Sequence, residues 1–287
     1  MPEPIRILLQ TTIETNPDDW HIGRFSMLAD HLSRLPGVEV TARDRSAPPG
    51  ESDPVLSTLD ESNFDQLWLF AVDTGEGLNA DECAAISRFR QSGRGLMVTR
   101  DHMDLGSSVC ILGGVGAAHF FHTRNLDPDE ARRAIDDTFT SEILWPNYHS
   151  GANGDVQTIT VEGEPHPLLR DRDGGVLTLM PAHPHEGAVG APADDPTARV
   201  IATGVSKLSG ARFNIAVAFE PGEEAGPALA QSTFHHFADY NLDPNAGAPT
   251  FVTEPAGDAI LRDPEAGRQV RQYFDNLARW LASGHTS

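Results

Sequence analysis

The chain has 287 residues, with 42 Asp and Glu against 21 Lys and Arg and a formal net charge of −21. Such a surface repels phosphate backbones and anionic membranes, so neither nucleic acid nor lipid is an expected partner. Two cysteines, Cys83 and Cys110, are too few for a disulfide framework or a cysteine-based zinc site. No run of about 18 apolar residues is there to cross a bilayer, and Met1-Pro2-Glu3-Pro4 opens no signal-peptide pattern, so a soluble cytoplasmic protein is expected.

Ile5 to Leu9 reads as a first central strand, and the loop from Thr11 to Trp20 leaves its carboxyl end. Ile22, Phe25, Ala29 and Leu32 then fall at helical spacing, with Pro36-Gly37 as the stop. Val38 to Thr41 and Leu67 to Val72 are the next strands; Asn79 caps a helix whose inner face is Ala85, Ile86 and Phe89. Leu96 to Val98 reads as a fourth buried strand, and it breaks into the polar turn Arg100-Asp101-His102-Met103-Asp104. The alternation of strand and helix predicts a doubly wound, mostly parallel α/β sheet flanked by helices. Ligands of such sheets bind outside the carboxyl ends of the strands. Neither G-x-G-x-x-G after the first strand nor G-x-x-x-x-G-K occurs, so nucleotide phosphates are not indicated.

Leu126 to Phe139, acidic early and basic later, predicts a helix. Trp145 to Gly154 is a long loop rich in hydrogen-bonding groups, of the kind that lines binding sites. The second half turns β-rich, with segments at Val156–Val161, Val176–Met180, Arg199–Thr203 and Arg212–Phe219 that extend the sheet antiparallel before a return to its centre. Gly226 to Tyr240 reads as a helix. Pro264 to Ala282 is another, capped by Asp263 and striped by Val270, Phe274, Leu277 and Leu281. A single domain over 1–287 is expected, its core at about 5–243 and a helix at 263–283 packed on it.

Nine of the twelve histidines lie between His102 and His236, mostly at predicted element ends. His102 would act as general acid or base, oriented by Asp101 or Asp104, with His235 or His236 facing it across the strand ends; imidazole suits proton transfer near neutral pH. Arg100, Asn147, Tyr148, His149, Asn153 and Glu186 are the candidate substrate-binding groups. In an extended segment His183 and His185 point to the same side and, with Glu186, could chelate a divalent metal. Pro184 between them suits a rigid loop equally well, so no cofactor is firmly indicated and little bound metal is expected. Ser232, His236 and Asp239 fall near one helix face, but triads are assembled from separate elements.

The elbow Thr99 to Ser108, the pair His166-Pro167, the stretch Ala198 to Gly204 and the ending Ser232-Thr233-Phe234-His235-His236-Phe237 together resemble the trehalose-utilisation (ThuA-like) family over most of residues 5–243. The resemblance implies a flavodoxin-like, class I glutamine-amidotransferase-like fold and a role in carbohydrate metabolism. It matches His102 to the histidine after the elbow strand, and His235 or His236 to the one that opens the last core helix. Amidotransferases place a cysteine nucleophile at the elbow, where this chain has Arg100-Asp101-His102; Cys110 lies about two helical turns further on, so cysteine-dependent glutamine hydrolysis is not expected. The favoured expectation is a cytoplasmic enzyme acting on a polar small molecule such as a sugar or sugar derivative. Its rivals are a catalytically inert ligand-binding module and a metal-assisted hydrolase or lyase.

Overall fold

The structure, a computed structural model, describes residues 3–137 and 139–285. Alternating side chains build its centre. In β1 (Ile5–Glu14) Ile7 and Leu9 enter one core while Leu8 enters the other. The same division separates Trp68 and Phe70 from Leu67 and Leu69 in β3 (Gln66–Phe70), and Met97 from Leu96 and Val98 in β4 (Gly95–Thr99). Strands apolar on both faces are the mark of a sheet covered on both sides. With β2 (Val38–Arg45) at the edge, these strands pair in parallel in the order β2-β1-β3-β4.

Helix α1 (Ser26–Ser33) and the long carboxyl-terminal helix cover one face, and α2 (Ala80–Gln91) covers the other. Asn79 caps α2 by accepting from the Asp81 and Glu82 amides. The elbow after β4 is fixed by backbone. Gly106 sits at φ +80, where a Cβ would meet the Ala71 carbonyl at 2.7 Å, and Met103 is held at φ 49, a region that disfavours L side chains.

Beyond the elbow come the one-turn α3 (Gly114–Ala117) and the short strands β5 (His119–Phe120), β6 (Val156–Thr158), β7 (Thr160–Val161), β8 (Leu179–Pro181) and β9 (Ala188–Val189). β10 (Ala198–Val205) and β11 (Arg212–Phe219) then run antiparallel, and β12 (Ala228–Gln231) returns to the centre between β11 and β4. The eight-stranded order is β2-β1-β3-β4-β12-β11-β10-β7, with β12 parallel to β4. Short helices α4 (Asp239–Leu242) and α5 (Ala259–Arg262) lead to α6 (Pro264–Leu281), where Asp263 accepts from the Glu265 and Ala266 amides.

Two expected helices are absent. Among the described residues of 126–139 only a single 3-10 turn forms, at Glu130–Arg132. Arg132 and Arg133 fold back onto Asp127, and Ala134 and Asp136 bond to the Asn147 backbone instead of continuing a helix. Within 226–240 the small residues of β12 are claimed by the strands on either side, an override of alanine's helix preference by tertiary pairing. Met1, Pro2 and Thr138, which fall in segments read from sequence, lie outside the described residues.

Two fully buried histidines make the fold acid-sensitive. Burial, with Arg100 adding, pushes His119 down to about 3; burial, with Arg199 adding, does the same to His166. Unfolding restores the ordinary value near 6.5. The stability these two groups contribute is therefore complete above about pH 6.5 and declines as pH drops toward about 3, because the unfolded chain binds protons the folded one refuses. The urea midpoint should fall between pH 7.5 and 4.5, and His119→Leu should flatten that fall. A midpoint independent of pH would contradict this account.

Candidate functional site

At the carboxyl ends of β4 and β12 a cavity of about 490 Å³ opens, floored by Asp101, His102, His183, His185 and His235. The elbow and the β12 loop are stitched together: the Phe234 amide donates to the Arg100 carbonyl at 2.9 Å, and the Thr233 hydroxyl donates to Asp101 Oδ1 at 2.8 Å. Asp101 is buried at the centre. His102 Nδ1 lies 2.8 Å from its Oδ2, His235 Nε2 3.7 Å from Oδ2, and His183 Nε2 3.3 Å from Oδ1.

The proton positions on His183 and His235 follow from a chain of amides. Asn241 Nδ2 donates to the Ala182 carbonyl and to Asn153 Oδ1, which fixes both amide orientations. His235 Nδ1 therefore donates to Asn241 Oδ1 at 2.8 Å, and His183 Nδ1 donates to Asn153 Oδ1 at 3.0 Å. Burial drives both rings neutral, His183 down to about 4 and His235 well below its ordinary value. Two bare Nε2 lone pairs thus face a carboxylate with no proton between them, and His183 Nε2 has no hydrogen-bond partner. The two rings stack, 3.6 Å between centroids and 11° between planes.

A second acidic group, Asp137, His185 and Glu254, stands beside the first. Asn147 Nδ2 donates to the Ile143 carbonyl, so His185 Nδ1 donates to Asn147 Oδ1 at 3.1 Å, while Nε2 stands 2.5 Å from Glu254 Oε1. That contact occupies the remaining nitrogen. This pair is a clamp on the 251–254 segment rather than a free ligand set.

The other sequence candidates fall around this centre rather than in it. Asn153 lines the cavity and orients His183; Asn147 backs His185, and His149 lines an adjoining cavity of about 210 Å³ with His185 and Glu254. Tyr148 turns into the core, stacking on Phe213 and bonding the Arg132 carbonyl. Glu186 is fully buried and accepts from Ser150, Gln157 and Ser232, and from His236 Nε2 at 3.1 Å. His236 Nδ1 accepts a hydrogen bond from Gln231 Nε2 at 2.7 Å, which makes it a satisfied core histidine. The Arg100 guanidinium lies over the Phe121 ring and donates to the Met103 carbonyl, and Asp104 holds the Thr123 amide and hydroxyl.

Asp19, Trp20, Glu254 and the amide of Asn241 were not singled out in the sequence. They sit in loops and short turns whose only signals are proline and mixed polarity. Neither thiol lines the cavity. Burial raises Cys83 to about 12 and also raises Cys110, so neither is an activated nucleophile. Cys110→Ala should keep ligand binding and any turnover intact; loss of activity with an intact fold would restore a thiol mechanism.

A sheet of this order, with its polar centre at the carboxyl ends of parallel strands, defines an α/β protein of the flavodoxin-like class. No protein-family model and no curated protein matches the sequence. Among solved structures, the N-terminal domain of mmIFT52 superimposes with a TM-score of 0.55 at 11% identity, covering 98% of this chain and 99% of that one. A ThuA-like protein from Parabacteroides merdae gives 0.52 at 17% identity, covering 98% and 91%. The glutaminase domain of Trypanosoma brucei CTPS with bound acivicin gives 0.50 at 15%, covering 87% and 91%. The fold is therefore ThuA-like and class I glutamine-amidotransferase-like, as the sequence motifs imply; at these identities fold is what the likeness conveys. No helix among the described residues is long and apolar enough to cross a membrane.

Proposed function

We propose that the chain is a cytoplasmic enzyme acting on a polar small molecule, a sugar or sugar derivative foremost, in which Asp101, His183 and His235 hold a divalent cation and His102 moves a proton. The observation that carries this reading is the tautomer chain through Asn153 and Asn241, which leaves two imidazole lone pairs and a carboxylate facing one another. Such orienting bonds to the outer nitrogen are typical of metal-binding histidines. The separations of 3.3 and 3.7 Å are near the edge of a ligand tetrahedron, roughly 3.3–3.6 Å for bonds of about 2.0–2.2 Å. This set keeps His183 from the sequence reading but exchanges His185 and Glu186 for Asp101 and His235. Because the rings lie parallel, sharing one ion requires them to splay.

A cation held by two histidines and one carboxylate keeps open positions and would polarise a substrate oxygen or lower the pKa of a bound water. The protein's own part is then plain. Thr233 and His102 orient Asp101, the asparagine pair orients the two imidazoles, and His102, 19% exposed and adjacent to the cavity, exchanges a proton with the substrate. Titration of chelator-treated protein with Zn(II) and with Mn(II) should show one equivalent bound and a higher melting temperature, since a ligand of the native state alone stabilises it. Asp101→Asn and His235→Ala should abolish both effects. No uptake and no thermal shift with either ion would overturn the metal assignment.

A further inference from the structure

Four carboxylates line the cavity, those of Asp19, Asp101, Glu142 and Glu254, and among the described residues no Lys or Arg does. Glu254 is engaged by His185, whose Nε2 stands 2.5 Å from its Oε1. Asp19, Asp101 and Glu142 remain, outweighing even the two positive charges of a divalent ion. Arg100, behind Asp101, is turned to Phe121 and the Met103 carbonyl, with Asp104 to offset it. Phosphates and carboxylates are ordinarily gripped by Arg or Lys side chains or by helix amino ends, and no such side chain lines this cavity. Its rim is apolar instead: Phe139 and Phe251 are 54% and 59% exposed, beside Ile143 and Val252.

We propose that the cavity selects an uncharged or amine-bearing ligand with an apolar face, such as the C–H face of a non-phosphorylated sugar, and rejects phosphorylated and carboxylated ones. The inference rests on this cavity being the active site, and it names the class of substrate that site takes. A focused negative field raises the local concentration of cations and lowers that of anions, and an aromatic rim favours a ligand that is apolar on one side.

The field can be read without knowing the ligand. A thiol introduced by Phe251→Cys in a Cys110→Ala background is titrated with cationic, neutral and anionic methanethiosulfonates, each rate divided by its rate with free 2-mercaptoethanol. Phe139→Cys serves if the first variant misfolds, and Ser33→Cys on the exposed surface of α1 corrects for the net charge of the whole chain. The cation-to-anion ratio in the cavity should exceed that control about 10-fold or more at low salt, fall with ionic strength, and shrink with Glu142→Gln. Adding Zn(II) should reduce the ratio without inverting it. A ratio indifferent to Zn(II) but still high would sink the metal reading and leave this one standing. A ratio equal to the control, an inverted one, or a thermal shift produced by inorganic phosphate would overturn the inference.

Discussion

Glu82→Ala is expected to destabilise the fold by about 3–5 kcal/mol, the range for removing one member of a buried ion pair. Glu82 is fully buried, and its Oε1 accepts from Arg45 Nη1 at 2.5 Å and from the Asp53 amide at 2.6 Å; its Oε2 accepts from the Asn79 amide at 2.9 Å. One carboxylate thereby closes the capping box of α2 and pins the loop after β2. Alanine would leave the Arg45 guanidinium buried without its counter-charge and two backbone amides without acceptors. Arg45→Leu combined with Glu82→Leu should recover part of the loss, because the stranded charge goes with the pair, while the two amides stay unpaired. Urea denaturation of the three proteins decides it. A loss below about 1 kcal/mol for Glu82→Ala, the scale of an exposed pair, would mean that water reaches this site.

How legible the molecule is in its sequence follows from how local each signal is. The strands at Ile5, Leu67 and Leu96 and the helix from Pro264 declare themselves, because burial on both faces and a helical stripe are written in neighbouring residues. β12 does not. Ala228-Leu229-Ala230 has the composition of a helix, and only β4 and β11, more than a hundred residues away on one side and about a dozen on the other, make it a strand. The helix-like composition of β12 also hides the partition of the paired histidines. His235 reaches Asp101 and the cavity while His236 turns to Glu186 and Gln231, a division set by the turn at Phe234–His236. His102 and Asp101 were readable because a strand broke into charge. The proposed ligand role of Asp101 was not, since it depends on His183, which lies about eighty residues further along the chain.

His102→Asn should lower turnover by roughly 10²–10⁴-fold, the usual contribution of a positioned acid or base, while leaving metal content and ligand affinity nearly unchanged. Asparagine keeps a polar group near Asp101 but cannot exchange a proton with the substrate. The contrast with Asp101→Asn is diagnostic: that change should lose the cation as well as the activity, so the two variants separate proton transfer from metal binding. A substrate must come first, found by incubating the Zn(II)-loaded protein with panels of neutral sugars and amino sugars and following each mixture by mass or NMR. His102 lies 2.8 Å from the carboxylate that also faces the imidazoles of His183 and His235, so with a cation held there it would stand beside a polarised substrate oxygen rather than across the cavity from it. Turnover within about threefold of the parent would remove His102 from the chemistry. A sugar that binds tightly in calorimetry and survives prolonged incubation unchanged would instead identify a binding module that kept the fold and its polar centre without the reaction.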